Sequence, residues 1–457
     1  MCPPADQSFS VAGEAPPSAA QGGLPAEVAE RTRQILGGGT DLPHLIAIYQ
    51  DLHRHPELSG REIRTSALIV EQLTAASARV ATGIGGTGVV GVLANGDGPV
   101  VMLRADMDGL PVQERTGLDY ASTVVAEGAD GLPVPVMHAC GHDVHMAALV
   151  GTVRALARAR DQWRGTIMAV AQPAEETAEG AAAMLRDGLF QRFGKPDVAL
   201  AQHVDSFGAG QVGHLDGLFA SGALNVDIII RGRGGHGASP EVCIDPIVIA
   251  CLVVLRLQTV VARELGPTEP AVVTVGILHA GTKANVIPDE AHLAVNLRFQ
   301  SAETQEKLLD AIERIVTAEC RSARCPEEPE IRTSSYFPLT CNDEHVTAVI
   351  RGVHEKLFGM SNVVVLPVSM GSEDFSAFGI PLPDHGYPAP SVPYCYWEFG
   401  GYPAQAWQGV PGQTFAEKRN NLPGCHSALF GPESRGAIST GLAALTGGAL
   451  AFLARRG

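Results

Sequence analysis

TIMAVAQPAEE, Thr166–Glu176, is the stretch on which the fold turns. Thr166 to Ala171 form an apolar run of strand length, and Pro173 ends it. A run without polar alternation fits a strand covered on both faces, as in a parallel sheet flanked by helices. Two adjacent carboxylates, Glu175 and Glu176, follow the strand end, which is where open α/β sheets build their sites. On such a turn neighbouring side chains reach different places in one site. One carboxylate can bind metal while the other takes a proton from water.

Upstream lies HACGHDVHM, His138–Met146, which packs three histidines, a cysteine and an aspartate together. Cys140 and His142 flank Gly141, a residue that lets the backbone bend between two ligands. Thiolate and imidazole together suit zinc and its neighbours better than magnesium or calcium. Taken singly, each feature has an ordinary reading. A lone cysteine is usually a small buried hydrophobe, and adjacent glutamates usually lie on a solvated helix face. Their coincidence beside a strand end points to a metal site.

Outward from these stretches the chain alternates. Helices are expected over Asp41–His53, Glu62–Ala76, Met146–Arg160 and Ala178–Asp187. Strands are expected over Val89–Leu93, Val100–Ala105 and Asp197–Val204, the last with His203 at its C-terminal edge. This alternation predicts an α/β fold with a helix-covered, mostly parallel mixed sheet. The character changes near Gly217. Strands over Leu224–Arg231, Val272–Leu278, Ala291–Phe299 and Glu330–Tyr336 enclose helices over Pro246–Glu264 and Thr304–Ala323. The order β-α-β-β-α-β is that of a ferredoxin-like α+β unit. It reads as an insertion, because α/β alternation resumes with Glu344–Phe358 and closes with Arg435–Leu453. The expected organisation is a disordered tail over 1–24, a catalytic domain over 25–217 and 338–457, and an inserted satellite domain over 218–337. The stretch Pro381–Gly424 reads as a long irregular loop of the kind that covers a site.

Composition narrows the function. The 457 residues exceed one ordinary core, and apolar residues make up 45% of the chain. A net charge of −16 argues against a nucleic-acid partner, since phosphate binding needs basic patches. No run is long and apolar enough to suggest a membrane span. Nine cysteines without paired spacing fit a reducing compartment, and the first residues lack a secretory pattern, so a cytoplasmic location is expected.

Further candidates lie elsewhere. RADMDGLP, Arg104–Pro111, delivers Asp106 and Asp108 to a strand end, where a carboxylate can orient a ligating histidine. GRGGHGASP, Gly232–Pro240, surrounds His236 with glycines, and its imidazole can stabilise a developing oxyanion. Asn285 sits in a turn and can bind a substrate oxygen. MGSEDFSAF, Met370–Phe378, reads as a helix start with Ser372 as N-cap. His426 in PGCHSALF follows the long loop.

Taken in order, DLHRHPELSGRE, RADMDGLP, HACGHDVHM, QPAEE, GGHGASP with IDPI, NVIPD and MGSEDFS give the chain a specific resemblance from about Leu45 to its end. It resembles the aminoacylase/carboxypeptidase metallopeptidase family, in its amidohydrolase branch acting on N-acyl-amino acids, hippurate and indole-acetyl-amino acid conjugates. The resemblance implies a zinc-peptidase-like catalytic domain with two divalent ions, zinc or manganese, with cobalt possible. It makes Cys140, His142, Glu176, His203 and His426 metal ligands and Glu175 the general base. It gives His236 and Asn285 substrate-binding roles, with His236 also helping catalysis, and Asp106 a supporting one. It further implies a homodimer formed through the satellite domain. The chain departs from the pattern at Glu241, where a histidine is common, and in HSALF, where Ala428 replaces proline; GPES then replaces an acidic pair. The expected reaction is hydrolysis of an N-acyl-amino acid by a metal-activated water. The alternatives are a dipeptidase or carboxypeptidase acting on short peptides, and a protein that binds acyl-amino acids without cleaving them.

Overall fold

The computed structural model describes residues 23–39, 41–381 and 391–455. The tail expected at the N-terminus lies outside these residues as far as residue 22, and so does part of the long loop, 382–390. The chain divides into two compact units. Ala220–Thr340 with Val368–Glu373 belong to one; the flanking segments, with Cys341–Pro367, belong to the other.

The larger unit is built on an eight-stranded mixed sheet. Its strands follow the order Arg79–Ile84, Gly88–Asn95, Gly165–Gln172, Val100–Asp106, Val198–Gly208, Tyr394–Tyr402, Val212–His214 and Val363–Val365. The centre is parallel: Val100–Asp106 pairs in parallel with both Gly165–Gln172 and Val198–Gly208, and Val198–Gly208 with Tyr394–Tyr402. These central strands are buried almost throughout, as continuous apolar runs require. The helix Ser434–Phe452 packs against Val198–Gly208 and Tyr394–Tyr402, and His142–Arg158 against Val100–Asp106. Leu103, Ile167, Leu200, Trp397, Leu445 and Leu450 lie in one continuous core.

The smaller unit is a four-stranded antiparallel sheet ordered Ala271–Ala280, Glu290–Phe299, Gly222–Arg231 and Glu330–Phe337. Helices Pro246–Arg263 and Ala302–Ser322 pack on it, and the first, against the sequence expectation, is by length and composition long and apolar enough to cross a membrane. Burial alternates along Gly222–Arg231 and Glu290–Phe299, so Val226, Ile228, Leu293 and Val295 turn inward. This is the ferredoxin-like arrangement.

Several elements differ from the sequence expectation. The helix expected from Met146 begins at His142, so half of HACGHDVHM is helical. The strand expected to stop at Val204 continues to Gly208, which places His203 within it rather than at its edge. Pro381–Gly424 is not simply irregular. It contains the strand Tyr394–Tyr402 and two short helices, Ala404–Gly409 and Phe415–Asn420. Tyr394, Tyr396, Trp397 and Tyr402 are strand residues of a central position, and Tyr394, Tyr396 and Trp397 are buried. The glycine, proline and tryptophan content hid a strand that tertiary pairing stabilises. In MGSEDFSAF only Phe375–Phe378 is helical, as a 3₁₀ turn, and no side chain caps it.

Candidate metal centre

The turn after Gly165–Gln172 is bent by Ala174, whose φ of 49° lies in the left-handed region. The buried Glu62 carboxylate braces it: Glu62 Oε1 accepts from Ala174 N at 2.9 Å and from Gly60 N at 2.8 Å. Beyond the bend the two glutamates spread. Glu175 Oε2 lies 3.9 Å from His142 Nε2, and Glu176 Oε1 3.8 Å from the same nitrogen. Glu176 Oε2 lies 3.4 Å from His426 Nε2. Glu176 N donates to Asp108 Oδ2 at 3.1 Å.

Cys140 and His142 are separated by a real hinge. Gly141 has φ of 80°, and a Cβ there would collide with Val204 Cγ1. Cys140 Sγ is 3.3 Å from His203 Nε2 and 3.3 Å from His426 Nε2. His203 Nδ1 donates to the Val204 carbonyl at 2.7 Å, which leaves Nε2 with its lone pair facing the thiol. His426 arrives from far along the chain. Its backbone N donates to Ala139 O at 2.7 Å, and its φ of 68° is a strained value for a residue with a Cβ. The structure therefore brings Cys140, His142, Glu175, Glu176, His203 and His426 together. Their donor atoms form overlapping sets, Cys140–His142–His203, Cys140–Glu176–His426 and His142–Glu175–Glu176, each within 4.8 Å.

The electrostatics beneath the cluster are built by a buried network. Asp106 Oδ1 accepts from His145 Nδ1 at 2.6 Å, and His145 Nε2 accepts from Val204 N at 2.8 Å, which ties Asp106 to the strand carrying His203. The carboxylate beside His142 Nδ1 is Asp108, at 3.3 Å; Asp106 Oδ2 is 3.7 Å from His142 Nε2. Arg104, on the same strand as Asp106, donates to Gln172 Oε1 at 2.8 Å, Asp106 Oδ2 at 2.7 Å and Asp374 Oδ1 at 3.2 Å. Burial opposes charge on His142, yet Asp106, Asp108 and Glu176 outweigh it and raise its pKa to about 10. Burial lowers His145 and His203 to about 4. Contact with Cys425, followed by burial, pushes the Cys140 thiol well up.

Arg104, Gln172, Glu62 and Asp374 carry roles that motif reading did not assign. A signal existed for one of them: an arginine inside VVMLRAD, a strand buried on both faces, requires buried counter-charges. His236 and Asn285 belong to the other compact unit. There His236 pairs with Val286 on a short ladder and Gly237 N donates to Asn285 O at 3.0 Å, so the two residues are neighbours and both are exposed.

The sequence comparisons bear on this geometry. The family model described as Peptidase family M20/M25/M40 matches residues 102–396. The chain belongs to peptidase family M20/M25/M40. It is similar to the hippurate hydrolase of Campylobacter jejuni, 36% identical over 72% of this chain and 84% of that one. It is also similar to IAA-amino acid hydrolase ILR1-like 2 of Arabidopsis thaliana, 33% identical over 75% of each chain. Among solved structures it resembles the Bacillus subtilis YXEP protein, described as a dinuclear metal binding peptidase from the M20 family. That match has a TM-score of 0.67 and 26% identity, covering 90% of this chain and 99% of the other. M20 membership makes this chain a hydrolase of amide bonds with a site of the dinuclear-metal kind.

The residues present fit such a group. His142 is fully buried, yet among the described residues its Nε2 has no hydrogen-bond partner, and Glu176 Oε1 is likewise buried without one. Buried polar atoms are rarely left so, and a cation among these atoms supplies the missing partner. One thiolate, three imidazoles and a carboxylate are also a donor set for a borderline-soft divalent ion.

Proposed function

We propose that the chain hydrolyses the amide bond of N-acyl-amino acids, releasing a carboxylic acid and an amino acid. The observation that carries this is the divergence of Glu175 and Glu176 after one strand end. Glu176 faces His142 and His426, while Glu175 stands beside the same His142 as a second carboxylate. Cys140, His142, Glu176, His203 and His426 would hold two divalent ions, zinc or manganese, and the thiolate favours zinc. When bound, the ions supply Lewis acidity and a water acidic enough to lose a proton near neutral pH. As general base, Glu175 would take a proton from the attacking water and return it to the leaving amine. Asp108 and Asp106 fix the orientation of the buried histidines around it. His236 and Asn285 are kept as candidate substrate-binding residues.

The relatives' names support the substrate class, since hippurate and IAA-amino acids are both N-acyl-amino acids. The peptidase description of the Bacillus subtilis protein supports a second reading, cleavage of short peptides. Metal-replete protein should be assayed against acetyl-, benzoyl- and fatty-acyl-amino acids beside plain dipeptides, with zinc, manganese or cobalt added. Release of free amino acid from the acylated substrates is expected. Preference for dipeptides would favour the peptidase reading, and calorimetric binding without hydrolysis of any compound would show a non-catalytic binder.

We also propose a homodimer formed through the satellite unit. Its helix Pro246–Arg263 buries Ile249, Val253, Leu257 and Val260 but exposes Val248, Leu252 and Leu255, a second apolar stripe. The edge strand Ala271–Ala280 exposes Val272, Ile277 and Leu278. Light scattering at micromolar concentration should give twice the chain mass.

A further inference from the structure

We propose that Arg419 is a positioning residue that straps the segment delivering His426 onto the strand carrying His203. The inference rests on the reading of both histidines as metal ligands. His426 is poorly held by its own surroundings. Its side chain is 56% exposed and its backbone is left-handed. Ala428 stands where the resembling motif has proline, so one backbone restraint just beyond the histidine is missing.

Six residues before His426, the short helix Phe415–Asn420 ends against the strand Val198–Gly208. A capping box at its start stiffens it: Thr414 Oγ1 accepts from Glu417 N, and Glu417 Oε2 accepts from Thr414 N. Lys418 donates to the Gln408 carbonyl at 3.3 Å and stands over the Trp407 ring, which itself covers Gly208. Arg419 then closes the contact. Its Nη2 pairs with Asp205 Oδ2, its Nη1 lies 3.3 Å from Glu398 Oε2, and its Nη2 lies 3.4 Å from Glu398 Oε1. Asp205 is two residues past His203, and Glu398 is the register partner of His203 on the neighbouring parallel strand. One planar guanidinium thus grips both strands at the level of the ligand.

The chain between Arg419 and His426 is fastened along the same two strands. Ser206 Oγ donates to Pro423 O at 2.9 Å, Tyr402 Oη donates to the same carbonyl at 2.8 Å, and the Cys425 thiol donates to Val204 O at 3.7 Å. His426 N then reaches Ala139 O, next to Cys140. Without Arg419 the helix end would lose the ion pairs to Asp205 and Glu398 that tie it to the two strands. The spacing between His203 and His426 would then no longer be set.

The test is metal titration of the full-length protein against a chromophoric chelator, with the cobalt absorption spectrum as a second readout. Wild-type protein should take two equivalents. Arg419→Met should bind one equivalent roughly 10–100-fold more weakly, with the other unchanged and the circular dichroism spectrum intact. Arg419→Lys should recover part of the loss, because it keeps the charge without the fork. A merely stabilising role would lower the melting temperature and leave both affinities alone. Folded Arg419→Met with wild-type affinity for both equivalents overturns the assignment. If Arg419→Met does not fold, Asp205→Asn and Arg419→Lys decide, and wild-type affinity in both overturns it. A wild-type protein that binds fewer than two equivalents overturns the ligand reading, and the strap with it.

Discussion

The two sides of the metal cluster are held in opposite ways. The His142 side is buried and cross-braced. Arg104, Asp106, Asp108, His145 and Gln172 are almost fully enclosed, and they come from neighbouring strand ends of one sheet and the helix that follows. The His426 side is a surface segment fastened by a few side chains, with its ligand more than half exposed. The difference shows that a single site can draw one set of ligands from the core, where packing fixes them, and another from a strap, where individual hydrogen bonds must do so. A change on the first side should therefore register as lost stability, and on the second as lost metal.

The largest effect tests what lies between the two sides. Glu175→Gln should lower kcat by roughly 10²–10⁴-fold while elemental analysis still finds two metal ions per chain. A variant that keeps full turnover would remove Glu175 from its role as base. Next comes a direct contrast, measured by urea unfolding of metal-stripped protein. Arg104→Met removes the buried guanidinium that joins Asp106 to Asp374 and should cost about 3–5 kcal/mol. His426→Ala should change the unfolding free energy by no more than about 0.5 kcal/mol, as expected at an exposed position. Equal losses would erase the distinction.

The smallest effect concerns pH and belongs to the buried side. His53 sits behind Asp143, with Nδ1 2.6 Å from Asp143 Oδ2 and Nε2 3.0 Å from Glu114 Oε1. Burial opposes its charge, but the two carboxylates prevail and raise its pKa to about 9. A raised histidine stabilises the fold fully below its unfolded pKa of about 6.5, and the contribution fades as pH rises through the folded value. Stability should thus fall by up to about 3 kcal/mol between pH 6.5 and 9. In His53→Gln that slope should flatten, whatever its absolute stability. An unchanged slope would show that His53 is not charged in the fold.

Motif reading reached the cluster itself because its parts are local. Cys140 with His142, and Glu175 with Glu176, need only a glycine hinge and a strand end, and both are written in adjacent residues. The sheet and the ferredoxin-like insertion were legible for the same reason, since apolar runs and alternation are short-range patterns. The strand Tyr394–Tyr402 was not, because it lies among glycines and prolines and owes its existence to pairing with Val198–Gly208. Nor was the start of the helix at His142, which places His145 one turn later, in reach of both Asp106 and Val204.

The sequence alone determined the chemistry available: a thiol, imidazoles and paired carboxylates at the ends of apolar strands, and a second unit of ferredoxin-like order. Tertiary structure alone decided how the charges are shared. Which carboxylate faces His142, that Arg104 joins Asp106 to Asp374, and that Arg419 grips the strand of His203 and its neighbour all depend on residues distant in the chain. A buried charge takes whichever partner the fold brings within a few ångströms, and that proximity is a property of packed strands and helices, not of neighbouring letters.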